Sequence, residues 1–188
     1  MAREFWEDGL RFRCARCSAC CRHEPGFVFL SARDIIALVG YLGVGFREFV
    51  DAYTKAVDVG TGHSLSLVEK PGNDCVFWGD SGCAVYPARP VQCSTYPFWS
   101  GILESAADWE RESADCPGIG GGAVVPRDAI AGKLVARRAD PPLVLEYDLS
   151  WGTVDETTIL GRARLDTDAA VAGEAEEQDI VDHPEDRP

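Results

Sequence analysis

The run Cys14-Ala-Arg-Cys17-Ser-Ala-Cys20-Cys21 places four cysteines within eight positions. Two residues between cysteines let both sulfurs point at one metal ion. Disulfide bonds within the run would be badly strained, because neighbouring cysteines cannot meet the geometry of such a bridge. Positive charge favours the thiolate, which is the form of cysteine that binds metal, and the arginines that flank the run are Arg11, Arg13, Arg16 and Arg22. The run therefore predicts a metal site around which a small domain is organised.

The other four cysteines follow singly, with seven, nine and twenty-two residues between them: Cys75, Cys83, Cys93 and Cys116. All eight cysteines are candidate metal ligands. We expect Cys14, Cys17 and either Cys20 or Cys21 to share a site with at least one of the distal cysteines. Adjacent side chains in extended backbone point to opposite sides. One of Cys20 and Cys21 is then free to serve a second site, so the sequence fits one site or two.

The identity of the metal stays open between zinc and iron. Zinc favours a closed tetrahedron of four ligands, often from two CxxC pairs, and the second group of cysteines contains no CxxC. Iron–sulfur clusters are often held by a C-x2-C-x2-C run and a more distant cysteine, which precedes proline in bacterial ferredoxins. Cys14, Cys17 and Cys20 fit that run, and Cys116 precedes Pro117. The predicted cofactor is zinc or iron, and the iron could form a 4Fe–4S cluster.

Arg89 lies between Cys83 and Cys93 and has two interpretations. Its N–H groups could donate to metal-bound thiolates, or its charge could balance a dianionic four-thiolate site from just outside the ligand shell. Alternatively, Arg89 braces a turn or pairs with a surface carboxylate. The sequence contains no visible Ser/His/Asp arrangement, so catalytic residues stay unassigned.

Length and charge limit the class of protein. The chain has 188 residues, of which 46% are hydrophobic, enough to bury the core of one domain. Its net charge is −13, and residues 166–188 hold nine acidic residues and one Arg, a net charge of −8. This acidic balance argues against a nucleic-acid partner, because phosphate binding requires clustered Lys and Arg.

Apolar segments are short throughout the chain. No stretch reaches the roughly 18 apolar residues that a membrane span requires, and the first residues, Met1-Ala-Arg-Glu-Phe-Trp, lack the apolar region of a secretory signal. We therefore expect a cytoplasmic protein without a membrane partner, in which thiols stay reduced. The predicted partner is a metal ion or cluster, and no protein partner is indicated.

Residue patterns predict an α+β fold, namely a small metal-stabilised domain with several helices, short strands and much irregular structure. Ser31 and Asp34 have the spacing of a capping box, with Leu30 and Ile35 as a hydrophobic staple, so a helix begins there. It is expected to end at Gly40 and Gly43. The other predicted elements are helices over 46–57, 103–115 and 126–138, short strands over 63–85 with a turn at 79–82, a flexible loop over 118–122 and a strand-like stretch over 144–159.

These elements suggest three segments. Residues 1–125 form the cysteine-cluster metal-binding domain, residues 126–165 form a C-terminal extension that packs on it, and residues 166–188 form an acidic tail that is predicted to be disordered. The helices between 31 and 57 are expected to pack against the strands near 65–85. A bound metal would fasten the N-terminal run to the distal cysteines and so stabilise the fold.

The cysteines and their surroundings resemble a known family, the CxxCxxCC family of YkgJ-like proteins. The resemblance covers about residues 11–120. The matching positions are Cys14, Cys17, Cys20, Cys21, Cys75-Val-Phe, Cys83-Ala-Val-Tyr-Pro-Ala-Arg-Pro-Val-Gln-Cys93-Ser-Thr-Tyr-Pro-Phe98, Trp109 and Cys116-Pro-Gly118. The resemblance implies a domain that chelates zinc or iron.

Three functions follow from the residues and the resemblance together. The leading interpretation is a metal-binding protein that holds zinc or an iron–sulfur cluster through two groups of cysteines. Flagellin lysine N-methylase is similar to the family in its cysteine motif, so the second is an iron–sulfur-dependent enzyme or electron carrier related to protein modification. The third is an interaction module with a purely structural zinc.

Overall fold

The structure is a computed structural model that describes residues 4–145 and 155–161. Helices and small antiparallel strand pairs alternate there with irregular structure, which confirms the predicted α+β class. The helices are α1 (Ala32–Leu42), α2 (Phe46–Tyr53), α3 (Val91–Thr95), α4 (Ala106–Glu112) and α5 (Arg127–Ala139), with 3-10 turns at Ala19–Cys21 and Tyr86–Ala88 and one more helix over 156–161. The strands are β1 (Leu10–Phe12), β2 (Thr54–Asp58), β3 (His63–Leu67), β4 (Glu69–Lys70), β5 (Asp74–Cys75), β6 (Trp78–Gly79), β7 (Gly82–Cys83), β8 (Ile119–Val125) and β9 (Val144–Leu145).

Helix α1 begins as the sequence predicts. The Ser31 hydroxyl accepts a bond of 3.0 Å from the Asp34 N–H, and the Asp34 carboxylate accepts one of 3.1 Å from the Ser31 N–H. These are the reciprocal bonds of a capping box. Gly43 ends the helix with a φ of 68°, a left-handed conformation that glycine adopts without strain. Gly40 does not end the helix but lies inside it, because one internal glycine costs only about 1 kcal/mol.

Helix α2 is shorter than predicted. The sequence predicts a helix through Val57, but the helix ends at Tyr53 and the chain continues directly as β2. Thr54 lies opposite Leu67 of β3, and β9 pairs with the other side of β3 to give a three-stranded antiparallel sheet. The β-branched residues Thr54 and Val57 favour extended backbone once a partner strand is present.

The main hydrophobic core lies between this sheet and the first two helices, as expected. Helix α1 contributes Ile35 and Leu38, helix α2 contributes Phe49, and strand β3 contributes Leu65, all of which are fully or almost fully buried. Cys75 and Cys83 pack against the edge of the same core. The core therefore supports the part of the chain that carries two distal cysteines.

Two short hairpins present these cysteines. Strand β4 pairs with β5, and β6 pairs with β7 across the predicted turn at 79–82. Trp78 lies opposite Cys83, and Cys75 lies opposite Glu69. The predicted short strands in this region are confirmed.

The glycine-rich segment after Cys116 is a strand and not the predicted loop. Strand β8 pairs antiparallel with β1, which directly precedes the first cysteine run. A Cβ on Gly118 would lie 2.5 Å from the Arg13 carbonyl oxygen, and a Cβ on Gly122 would lie 2.5 Å from the Arg13 Cβ. Glycine is needed here because the two backbones approach too closely for a side chain.

Helix α5 agrees with the predicted helix over 126–138, whereas α4 is shorter than the prediction because Ser105 caps it. Strand-like structure over 144–159 is limited to β9, since 156–161 is helical and 146–154 lies outside the described residues. The predicted acidic tail at 166–188 also lies outside them. Among the described helices, none is both long and apolar enough to cross a lipid bilayer.

A second hydrophobic cluster joins α5 to the segments on either side of the cysteines. Its buried members are Trp6, Phe98, Leu103, Trp109 and Ile130. Helix α5 also packs on α3, the helix that carries Cys93. Residues beyond 125 thus share a core with the residues around the cysteines.

Asp34 connects α1 to α3, and this generates a prediction. Besides capping its own helix, its carboxylate accepts a bond of 2.9 Å from the Val91 N–H at the start of α3. Asp34→Ala should lower the free energy of unfolding by roughly 2–4 kcal/mol, because a buried cap is lost and a second buried N–H group loses its acceptor. Chemical denaturation measures the loss, and hydrogen exchange at Val91 should accelerate.

Asp108→Ala is the matched control. Asp108 occupies the same third position of α4 and takes part in a cap with Ser105, but this cap is only partly buried, whereas the cap of α1 is buried. A clearly smaller loss of stability is expected for this variant. Equal losses in the two variants would show that the contact between Asp34 and Val91 adds nothing.

Candidate metal centre

Five thiols from both cysteine groups lie close together. The Sγ atoms of Cys20 and Cys21 are 3.7 Å apart. Electrostatic interactions connect Cys93 with Cys20, Cys75 and Cys83, and they connect Cys21 with Cys75 and Cys93. We call these five residues the inner group. It joins the first cysteine run to both hairpins and to α3.

The remaining three cysteines, Cys14, Cys17 and Cys116, form an outer group. Cys17 interacts electrostatically with Cys116. All three line a cavity of about 240 Å³, together with Cys20 and Cys93 of the inner group. The outer group therefore shares one cavity with part of the inner group. Its cysteines differ in exposure, since Cys14 and Cys17 are exposed and Cys116 is buried.

Pairing of β1 with β8 positions the start of the first cysteine run. The Arg13 N–H donates to the Gly118 carbonyl at 3.1 Å, and the Arg11 guanidinium donates to the Gly122 carbonyl at 2.9 Å. Cys14 follows Arg13 directly, and Cys116 precedes Gly118 by two residues. Backbone pairing, rather than metal, therefore brings these two distant cysteines to one cavity.

Arg22 fixes the end of the same run to the hairpins. Its Nε donates to the Asp74 carboxylate at 3.1 Å, and its guanidinium lies 3.6 Å from the centre of the Trp78 ring. The Asn73 side chain donates to the His23 carbonyl at 3.1 Å. Since Arg22 follows Cys21 and Asp74 precedes Cys75, this ion pair holds the two cysteines near each other.

The thiols of the inner group differ in how readily they lose a proton. A hydrogen bond from Cys21 is the main reason that the pKa of the Cys20 thiol falls to about 7, and the charge of Arg89 acts in the same direction. The same hydrogen bond raises the pKa of Cys21, because it stabilises the protonated form of that thiol. Burial raises the pKa of Cys93 to about 12, and the neighbouring thiols add to this effect. In the absence of metal, Cys20 is the thiol of this pair that ionises near neutral pH.

Arg89 lies beside the inner group. Its guanidinium stacks 3.7 Å from the centre of the Tyr86 ring, and its Nε donates to the Tyr86 carbonyl at 3.2 Å. Its charge acts on Cys20 and Cys83, and its side chain lines the cavity. Arg89 thus braces a turn and at the same time places a positive charge next to two thiols, which combines two interpretations that the sequence left as alternatives.

Tyr96 lines the cavity, and its hydroxyl makes contacts there. The hydroxyl donates to the Glu112 carboxylate at 2.6 Å and is in hydrogen-bonding contact with the Cys116 thiol. Burial, reinforced by Glu112, raises the pKa of Tyr96. Glu112 belongs to α4 and is remote in sequence, so no local pattern could indicate this contact.

The thiols suit a soft metal by their chemistry, although their positions do not complete a metal site. All eight cysteines are free thiols, and the 3.7 Å between Cys20 and Cys21 is close to the roughly 3.8 Å that separates two sulfurs on one tetrahedral zinc ion. In the described part of the chain, however, no three Cys, His, Asp or Glu side chains converge in metal-binding geometry.

A family model named for the CxxCxxCC motif, and described as a candidate zinc- or iron-chelating domain, matches residues 13–117. The match covers more than half of the chain. This chain belongs to the CxxCxxCC family. The family segment contains all eight cysteines but ends before β8 and α5, which pack against the cavity. No solved structure matches the chain.

The unequal thiols predict unequal reactivity in the metal-free protein. Cys20 is exposed and has a pKa of about 7, whereas Cys93 is half-buried and has a pKa of about 12. Only the thiolate reacts with iodoacetamide. At pH 7, Cys20 should therefore be labelled at least about tenfold faster than Cys93, as measured by peptide mass spectrometry.

Two variants of Cys21 test whether its hydrogen bond causes the fast labelling of Cys20. Cys21→Ala removes the donor that stabilises the Cys20 thiolate and should slow its labelling at pH 7. Cys21→Ser keeps a donor and should retain most of the rate. Equal labelling of Cys20 in both variants would contradict the role assigned to the hydrogen bond.

Proposed function

We propose that this member of the CxxCxxCC family binds zinc through the inner group of cysteines, and that the bound ion fastens the first cysteine run to the two hairpins and α3. The observation that carries the proposal is the approach of five thiols from four parts of the chain, namely the first cysteine run, the two hairpins and α3. A four-thiolate zinc site needs four of them. The partly buried position of Cys21, Cys75, Cys83 and Cys93 suits a closed structural site.

Zinc is favoured over other ions at the inner group by the ligand set. Thiolates prefer soft metals, and the tetrahedral four-thiolate arrangement is typical of structural zinc. Metal binding would then add directly to the free energy of folding.

The outer group supports a second candidate, an iron–sulfur cluster. Cys14, Cys17 and Cys20 have the spacing of a cluster-binding run, and Cys116, which precedes a proline, lines the same cavity as all three. If Cys20 serves this cluster, then Cys21, Cys75, Cys83 and Cys93 remain for zinc. Two four-thiolate centres would account for every cysteine, and the cluster would make an electron carrier or an iron–sulfur enzyme.

Metal analysis of matched cysteine variants tests the proposal. Wild-type protein purified without oxygen in the presence of zinc should contain one tightly held zinc per chain. Cys93→Ser should lose that zinc and should be destabilised by well over the roughly 1–3 kcal/mol expected for a buried thiol that does not bind metal. Cys116→Ser should keep the zinc, because Cys116 belongs to the outer group. Full zinc retention in Cys93→Ser combined with Cys20→Ser, which leaves only three inner thiols, would refute the inner site.

Absorption spectra of the same samples address the cluster. A brown colour with charge-transfer absorption in wild type, lost in Cys116→Ser while zinc is kept, would establish the second centre. Colourless protein under anaerobic conditions with added iron and sulfide would exclude the cluster and leave the zinc site as the function of the inner group alone.

A further inference from the structure

Helix α5 lies outside the family segment, yet it reaches the cysteines. It packs on α3, and its residue Ile130 is fully buried in the second hydrophobic cluster. Lys133 and Arg137 are four residues apart and so occupy one face of the helix. Both side chains are half-buried, whereas Arg138, the next residue, is exposed. The face that carries Lys133 and Arg137 is turned towards the cysteine cavity.

Lys133 is held at the wall of the cavity. Its Nζ donates to the Ser94 carbonyl at 3.3 Å, and its side chain lines the cavity together with Cys93 and Cys116. Its ammonium group also lies 6.0 Å from the centre of the Phe98 ring. Ser94 follows Cys93 directly, so this bond places a positive charge one residue from an inner-group thiol.

Arg137 is placed one helical turn further along. Its guanidinium lies 4.9 Å from the centre of the Trp99 ring, and it interacts electrostatically with Cys93 and Asp34. Partial burial lowers the pKa of Arg137, and its electrostatic interactions with Cys93 and Asp34 oppose the shift. The stacking on Trp99 keeps the guanidinium from turning outward to solvent.

Lys133 and Arg137 can offset negative charge at a metal centre. A zinc ion with four thiolates carries a net charge of −2, and burying such a charge is costly unless cations or N–H donors lie nearby. The positive charge of Arg89 acts on Cys83, and the positive charge of Lys70 acts on Cys75. Near Cys93, Lys133 donates to the Ser94 carbonyl and Arg137 interacts electrostatically with Cys93, and both residues belong to α5.

We propose that Lys133 and Arg137 are positioning residues that complete the metal centre from outside the family segment, because they place two positive charges on the α3 side of the cysteines, where they offset the net charge of −2 of a four-thiolate zinc ion. The inference rests on the proposed zinc site. It predicts that the chain beyond residue 125 sets the affinity of that site, although it supplies no ligand.

The test compares zinc affinities in the full chain. The double variant Lys133→Gln/Arg137→Gln should bind zinc roughly 10–100-fold more weakly, the usual effect of losing groups that support metal ligands, as measured by competition with a chromophoric chelator. Arg138→Gln removes one charge from the exposed face of the same helix and should leave the affinity unchanged. Lys133→Arg/Arg137→Lys keeps both charges and should restore wild-type affinity to within about threefold.

Wild-type protein that binds no zinc would refute the proposed zinc site and this inference with it. Zinc binding by the wild type with unchanged affinity in the double variant, or equal weakening in Arg138→Gln, would overturn the inference alone. If the double variant does not fold, Lys133→Gln alone carries the same comparison with a smaller effect.

Discussion

Thiolates repel one another when they are held a few ångströms apart, and this chain gathers five thiols in one place. The protein relieves the repulsion first by keeping protons on most of them: Cys21 donates to Cys20, and burial keeps Cys93 protonated near neutral pH. Arg89 and Lys70 offset part of the charge that remains. A bound metal would replace those protons and relieve the repulsion far more completely.

Contacts that use no cysteine hold the segments of this group. Three sets of contacts do so here: β1 pairs with β8, Arg22 binds Asp74, and Asp34 accepts from Val91. The fold therefore brings the thiols near each other by ordinary hydrogen bonds, ion pairs and core packing.

Local sequence patterns predicted the parts of the fold that local physics determines. The capping box at Ser31, the helix over 126–138 and the turn at 79–82 each depend on residues that are neighbours in sequence. The glycines from 118 to 122 were interpreted as a loop because their requirement comes from Arg13, which is remote in sequence. Val57 was assigned to a helix because its strand partner Ser64 is seen only in the sheet. The cysteines could be recognised as ligands, but their division into an inner and an outer group depends on tertiary contacts.

The inner and outer groups differ in how far their thiols are buried, and burial decides how readily a metal site exchanges its ion. Four of the five inner thiols are at least half-buried and surrounded by cations and core residues, whereas Cys14 and Cys17 of the outer group are exposed at an open cavity. A buried thiolate site exchanges its ion slowly, because opening it breaks packing as well as bonds. An exposed one can accept or release its ion without unfolding. A chelating domain built in this way would stabilise its fold through the inner group and would keep the outer group accessible to metal or to a reaction partner.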